Sequence, residues 1–207
     1  MNKHNPFELI LKQGLIVLLS LLAFGCGKSQ IISDHSGGPI IKVNNEAKSY
    51  IVPFKLGSYW IFEDDSTKQT DSVHVTFYDD GGQAEGDGEA INTDITSATT
   101  GTLALSVFAY QDTSDCGMLI VYDNPPGSIQ ISKSSAGYSP LVNSYPLPGV
   151  SILNSFSTYS AVYKNVLYTT DNSIGNTFYF AKGIGLIGRD MKIGHHMAHY
   201  RLLRYKL

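Results

Sequence analysis

The chain is short of cysteine, of charge and of long apolar runs. Its 207 residues include only 2 Cys, and charged residues make up 16%. Two cysteines cannot build the disulfide framework that holds small secreted scaffolds together. Hydrophobic residues make up 43% and aromatic residues 11%, which excludes a disordered chain. The length therefore suits one ordinary domain that buries a hydrophobic core.

Helical periodicity is also scarce. Beyond the N-terminal region, no window of 12 or more residues keeps an apolar repeat of 3.6 residues, so we expect little helix. Short runs rich in Val, Ile, Thr, Tyr and Phe alternate with Gly, Asp, Asn, Ser and Pro clusters, which is typical of strands and turns. The predicted strands are 59–63, 72–78, 90–96, 103–111, 118–122, 129–132, 152–159, 161–169, 177–181, 185–191 and 198–205.

These observations predict an all-β protein with a single antiparallel β domain over 49–207. The domain is either a sandwich or a strongly curved, half-barrel-like sheet. It follows a signal helix over 1–25 and a flexible tether over 26–48, which is rich in Ser, Gly, Asn and Lys. Acidic residues concentrate in 63–123 and basic residues in 124–207, a pattern that favours neighbouring strands of complementary charge.

The N-terminus has the parts of an export signal. Lys3 and Lys12 precede an uncharged, largely apolar run over 14–24. That run is too short to span a membrane, which takes about 20 residues, and it has the length of a secretory signal.

The segment 21–26, LLAFGC, resembles the lipobox of bacterial lipoproteins, in which a small residue precedes the lipidated cysteine. The resemblance implies cleavage before Cys26, acylation of Cys26 by chains such as palmitate, and anchoring in membrane lipid. Several acyl chains hold a protein stably, whereas one does so only marginally. Gly27, where inner-membrane members carry Asp, implies the outer membrane and leaves its periplasmic or surface face open. The alternatives are an ordinary signal peptide, with Cys26 accidental, and an uncleaved apolar helix.

Two further strings resemble segments of uncharacterised bacterial envelope lipoproteins. They are 53–62 (PFKLGSYWIF), with a Gly-x-x-Trp entry into the first strand, and 178–187 (FYFAKGIGLI), with an Ala-Lys-Gly-x-Gly-Leu segment. The resemblance implies an envelope-anchored β protein and supplies no catalytic residues. The residues themselves predict that Trp60 fills the core and that Gly183 and Gly185 allow a bulge or a close strand approach.

Three histidines near the C-terminus are candidate metal ligands. In a strand, His195, Met197 and His199 share one face, which suits a soft metal. In a helix, His195 and His199 share a face, but the Glu of a zinc-protease motif is missing. Alternatively, His195, His196 and His199 are solvated polar residues and bind no metal.

Two other segments offer ligand contacts. Tyr138 and Tyr145 lie in a proline-containing excursion, where exposed rings could stack on a sugar or pack on a partner. The acidic loop 79–89 holds five carboxylates, although their spacing does not match an EF-hand.

No motif for a nucleophile, metal or cofactor stands above background. Residues 137–141 (GYSPL) lack the second Gly of a nucleophile elbow, and no phosphate-binding loop is present. We therefore predict a non-catalytic envelope lipoprotein, structural or ligand-binding, without a cofactor. The alternative is an envelope hydrolase acting on glycans or lipids. Besides membrane lipid, the partner classes left open are an envelope protein and a glycan. Nucleic acid is excluded, because the protein is exported and its net charge is −3.

Overall fold

The computed structural model describes residues 41–51, 55–83, 88–109, 115–140 and 148–207. Within these ranges lie one helix, α1 (Asn45–Ile51), and twelve strands. The strands are β1 (Tyr59–Asp64), β2 (Thr70–Gln83), β3 (Glu89–Ser97), β4 (Gly101–Ala109), β5 (Cys116–Asp123), β6 (Pro126–Ser134), β7 (Gly137–Pro140), β8 (Gly149–Ser157), β9 (Val162–Thr170), β10 (Thr177–Ala181), β11 (Gly185–Ile193) and β12 (His196–Lys206).

All twelve strands belong to one antiparallel sheet. Their order is β7-β6-β5-β4-β3-β2-β1-β12-β11-β10-β9-β8. Two meanders, β1 to β7 and β8 to β12, are thus joined where β1 pairs with β12. The sheet curls until it is nearly closed into a barrel, with β7 and β8 as its edges. The predicted all-β fold with a single antiparallel domain is confirmed, in its strongly curved form.

Alternating side chains build the interior of this sheet. In β1, β4 and β6, every second residue is buried and its neighbours are more exposed, as a strand with one core-facing side requires. Every residue of β10 is buried, on both faces. The inner face of β10 lies on the core through Phe178 and Phe180, and Phe156 of the β8–β9 hairpin stacks on Tyr179 of its outer face.

Helix α1 packs across one end of the curled sheet. Asn44 begins it, because the side-chain oxygen of Asn44 accepts a hydrogen bond from the Glu46 N–H at 2.8 Å. Ala47 and Tyr50 are buried in the core. The Tyr50 hydroxyl donates to the Asn165 carbonyl, so the helix is fixed to β9. Among the described residues, no helix has the length and apolar character needed to cross a membrane.

The packed part of the chain extends further towards the N-terminus than we expected. The sequence placed 26–48 in a flexible tether and began the β domain at residue 49. In the structure, Val43 and Ala47 are 2% and 0% exposed, and Ile41 forms a parallel bridge with Gly88. Residues 41–48 therefore pack as part of the domain, because their apolar side chains complete one end of its core.

The two strings that resemble envelope lipoproteins meet in the fold. Trp60 is fully buried, and its indole N–H donates to the Ile184 carbonyl at 3.0 Å. Gly183, in the turn after β10, and Gly185, the first residue of β11, both have positive φ, of 72° and 82°, a backbone conformation that favours glycine. The turn is tight because of these glycines, and it presents the carbonyl to Trp60.

The other end of the interior contains a buried ion pair. Arg189 and Asp71 are 2% and 3% exposed, and a guanidinium nitrogen of Arg189 donates to the Asp71 carboxylate. Arg189 also donates to the Thr100 hydroxyl at 2.7 Å, and Ser97 donates to Asp71 at 2.6 Å. Asp71, from the acidic segment 63–123, is thus paired with Arg189, from the basic segment 124–207.

Two buried carboxyl groups are kept ionised by hydrogen bonds. Burial alone would raise the pKa of Asp64, but hydrogen bonds that include those from the side chain and backbone of Thr67 lower it overall. Burial likewise opposes ionisation of Asp171, and hydrogen bonds from Ser173 and Tyr122 lower its pKa overall. Both groups therefore stabilise the fold in their charged form.

We expect the free energy of unfolding to fall in acid. The folded pKa of each carboxyl group lies below its ordinary value of 3.8. Each therefore stabilises the fold above that value and loses its contribution as the pH falls through the folded pKa. Urea titrations at about pH 7, 5 and 3, followed by the fluorescence of Trp60, measure the effect. Asp64→Asn should weaken the dependence. Equal or greater stability at about pH 3 than at about pH 5 would contradict the account.

Candidate functional site

The distal part of the β8–β9 hairpin folds back over the outer face of the sheet. We call residues 155–164 the flap. The hairpin bends beside Asn165, which has a positive φ of 52°. The flap then reaches β12, where the backbone N–H of Ser160 donates to the Leu202 carbonyl at 3.1 Å. The β8–β9 pairing continues through the flap from Ser155↔Lys164 to Ser157↔Val162.

Aromatic packing fixes the flap to the sheet. The Phe156 ring stacks on Tyr179, with centroids 4.1 Å apart and an interplanar angle of 19°. Phe156 also lies over Gly188, where an added Cβ would be 2.9 Å from the ring. Glycine at this position thus lets the flap approach β11 closely.

A surface pocket opens between the tip of the flap, β12 and the turn that follows β1. Its volume is about 210 Å³, and its lining residues are Asp65, Ser157, Thr158, Tyr159 and Arg201. We call it the flap pocket. The pairing of β1 with β12 places Glu63 opposite Arg201, so Asp65 and Arg201 approach each other although they lie at opposite ends of the domain sequence.

Arg201 is held rigidly at the pocket wall. Its guanidinium lies 5.1 Å from the ring centroid of Phe156 and 5.4 Å from that of Tyr179, within the range of cation–π attraction. Its Nη1 donates to the Asp190 carboxylate at 2.7 Å, and its Nε lies 3.5 Å from the Asp65 carboxylate. The side chain is only 15% exposed, so its position is set before any ligand arrives.

Asp190 organises the groups behind the pocket. Besides Arg201, it accepts a hydrogen bond from the Tyr179 hydroxyl at 2.8 Å and lies 2.9 Å from Nδ1 of His199. Burial, and then the hydrogen bond to Asp190, raises the pKa of Tyr179, which keeps the phenol protonated as a donor. Asp190 is therefore a positioning residue for Arg201.

Tyr159 and Lys68 form the rim of the pocket. The Tyr159 hydroxyl donates to Asp65 at 2.9 Å, and Lys68 Nζ donates to the same hydroxyl. Lys68 Nζ also lies 5.0 Å from the ring centroid. The hydrogen bond with Tyr159 raises the pKa of Lys68, so this side chain is charged at neutral pH. Tyr159 is 43% exposed.

The three candidate histidines are placed differently from one another. His195 lies in the turn between β11 and β12, and the exposed His196 begins β12. His199 lies on the same face of β12 as Arg201, with its Nδ1 beside Asp190. Among the described residues, no three His, Cys, Asp or Glu side chains are placed to hold a metal ion.

Tyr138 packs against α1. It lies in the edge strand β7, and its ring meets Tyr50 edge-on with centroids 5.9 Å apart. Lys133 Nζ lies 5.2 Å from the Tyr138 ring centroid. The hydroxyl is buried, so this side chain serves the packing of the α1 end. Tyr145 and Cys26 lie outside the described residues, as does the signal segment 1–25.

Cys116 and Glu89, the last carboxylate of the acidic segment 79–89, have structural roles. The Cys116 thiol is fully buried, and burial raises its pKa to about 11, which opposes thiolate chemistry. Glu89 pairs with Lys48 at 2.8 Å and accepts a hydrogen bond from the Val43 N–H at 2.7 Å. This carboxylate of the loop thus holds the chain that leads into α1.

The chain matches no family model, no curated protein and no solved structure. The resemblance to envelope lipoproteins therefore rests on the strings themselves. The flap pocket was not foreseen from the sequence, because neither Asp65 nor Arg201 belongs to a spacing motif.

Proposed function

We propose that the protein is a lipid-anchored envelope protein, held at the outer membrane through Cys26, whose β domain binds a ligand without catalysis. The segment 1–26 supports the anchor, since it has a basic start, a short apolar run and a lipobox-like end. Stable anchoring follows if Cys26 carries more than one acyl chain.

The flap pocket is the observation that carries the binding function. It combines a concave surface with polar groups that other contacts hold in place, and polar groups placed in this way fix the orientation of a ligand. The pocket also lies away from the end where the chain enters the domain. The Trp60 indole bonds to the Ile184 carbonyl, next to Gly183, whose N–H donates to the Ser49 carbonyl of α1. Asp65 follows Trp60 five residues later, about 17 Å along an extended strand. A ligand can thus reach the pocket without contacting the α1 end.

The carboxyl groups with shifted pKa values do not suit the role of a general acid. A carboxyl group that acts as a general acid near neutral pH needs a raised pKa. In the part of the chain that the structure describes, each carboxyl group with a resolved shift has a lowered pKa, namely Glu46, Asp64, Glu89 and Asp171. These four groups are poor proton donors, and the two carboxylates nearest the pocket both lie beside Arg201.

The anchor is tested by comparing the two cysteines of the chain. With the complete sequence expressed in a Gram-negative host, Cys26→Ala should abolish labelling by an alkyne analogue of palmitate and release the protein from the membrane or block its processing. Cys116→Ala is the matched control and should keep both label and membrane retention. A Cys26→Ala protein that is labelled and retained like the wild type would overturn the anchor.

A further inference from the structure

The size of the flap pocket limits what it can hold. Its volume of about 210 Å³ is below the roughly 300–1,000 Å³ of pockets that enclose drug-sized ligands. It can accept one small unit, such as a single sugar ring or one side chain, with the rest of a larger ligand outside. Because Tyr159 is 43% exposed at the rim, such an extended ligand has an aromatic surface to contact.

The charges around the pocket disfavour a charged ligand. Two permanent cations, Arg201 and Lys68, face three carboxylates, Asp65, Glu63 and Asp190. Lys68 pairs with Glu63, and Arg201 pairs with Asp65 and Asp190. An anion would meet this excess of carboxylates. A cation would meet Arg201 and Lys68, and it would have to break their pairs with these carboxylates. A ligand without net charge avoids both costs.

The hydrogen-bonding groups suit a ligand with several hydroxyls. Asp65 offers lone pairs beyond those that Tyr159 and Arg201 use, because a carboxylate has about four acceptor sites. Nη2 of Arg201 and the Ser157 hydroxyl have no hydrogen-bond partner within the described ranges. A sugar hydroxyl both donates and accepts, so adjacent hydroxyls can bind a carboxylate and a guanidinium that lie side by side.

We infer that the flap pocket binds an uncharged, hydroxyl-rich ligand, a neutral sugar residue of a glycan, whose hydroxyls bind the adjacent side chains of Asp65 and Arg201 and whose ring lies against Tyr159. This inference rests on the proposed function, since it names the ligand class of that same pocket. Asp190 and the two rings beneath Arg201 keep the guanidinium in its binding position, so little side-chain freedom is lost on binding.

The test is a binding titration with probes of different charge. The mature protein, labelled with nitrogen-15, is titrated by NMR with the neutral trisaccharides maltotriose, cellotriose and chitotriose, with anionic trigalacturonate and with cationic trilysine. We expect at least one neutral trisaccharide to bind and to shift the signals of Tyr159 and Arg201. Arg201→Gln should weaken that binding by about tenfold or more, as expected for the loss of a charged hydrogen bond.

Two further variants separate loss of binding from loss of folding. Asp65→Asn keeps the size of an exposed side chain and should also weaken binding. Arg204→Gln lies on β12, is exposed and does not line the pocket, so it should bind like the wild type. Equal effects of Arg201→Gln and Arg204→Gln would overturn the inference.

The remaining outcomes distinguish the inference from the proposed function. If only trigalacturonate or only trilysine binds at the flap pocket, the neutral-sugar inference is overturned and ligand binding at this site stands. If no probe shifts the signals of the pocket residues, both are overturned. If a neutral trisaccharide binds but shifts signals elsewhere, the assignment to this pocket is overturned.

Discussion

Arg189→Met is expected to lower the free energy of unfolding by about 3–5 kcal/mol, because it leaves the carboxylate of Asp71 buried without its cation. Asp71 is only 3% exposed, and its remaining described partner is the Ser97 hydroxyl. The substitution also removes the guanidinium that lies 5.1 Å from the Phe62 ring centroid and 4.9 Å from that of Tyr200. Urea denaturation followed by the fluorescence of Trp60 measures the change.

The double variant Arg189→Met with Asp71→Asn is the control for this prediction. Asparagine keeps an acceptor for Ser97 and carries no charge, so the double variant should be more stable than Arg189→Met alone. If the single variant is as stable as the wild type, or the double variant is no more stable than the single one, the buried ion pair does not have the role assigned to it.

Trp60→Ala is expected to cost a similar amount, about 3–5 kcal/mol, through the cavity left by a fully buried indole. Trp60 is 0% exposed, and its indole N–H is bonded to the Ile184 carbonyl. The loss is a large share of a typical stability of about 5–15 kcal/mol. Because Trp60 is the only Trp, unfolding of this variant must be followed by circular dichroism.

Trp60→Phe provides the matched comparison. It keeps most of the buried aromatic volume and loses the hydrogen bond to Ile184, so its cost should be clearly smaller than that of Trp60→Ala. A Trp60→Ala protein of near-wild-type stability that has lost ligand binding would show that Trp60 is a ligand platform and not a core residue.

The strands could be predicted from the sequence because each carries its own signal. The alternation of apolar and polar residues, as around Val73 and Val75 of β2, can be recognised without knowing which strand pairs with it. The predicted ends of the strands were less accurate. β2 continues to Gln83 and β3 begins at Glu89, so residues 79–83 of the predicted loop 79–89 belong to β2. β7 was missed because four residues with Pro140 at the end give no periodic pattern.

Helix α1 could not be predicted for a physical reason. Its 7 residues make about two turns, which is too short for a 3.6-residue repeat to be recognised. Polar residues such as Asn45 and Lys48 instead resembled a tether. Its stability comes from tertiary contacts, namely the burial of Ala47 and Tyr50 and the pair between Lys48 and Glu89.

The candidate site depends on contacts between distant parts of the chain. The segregation of charge predicted complementary neighbours, and the pairs Asp65–Arg201 and Asp71–Arg189 are of that kind. The position of the flap could not be foreseen, since it depends on the bend beside Asn165 and on the stacking of Phe156 on Tyr179. Neither feature has a pattern within the local sequence.

The most direct test of the proposed lipid anchor is the intact mass of the mature protein extracted from membranes. We expect a chain that begins at Cys26, with an added mass that corresponds to more than one acyl chain. Tandem fragmentation should place that mass on the first residue. A membrane-extracted chain that begins at Met1, or at any residue without an attached lipid, would contradict the account.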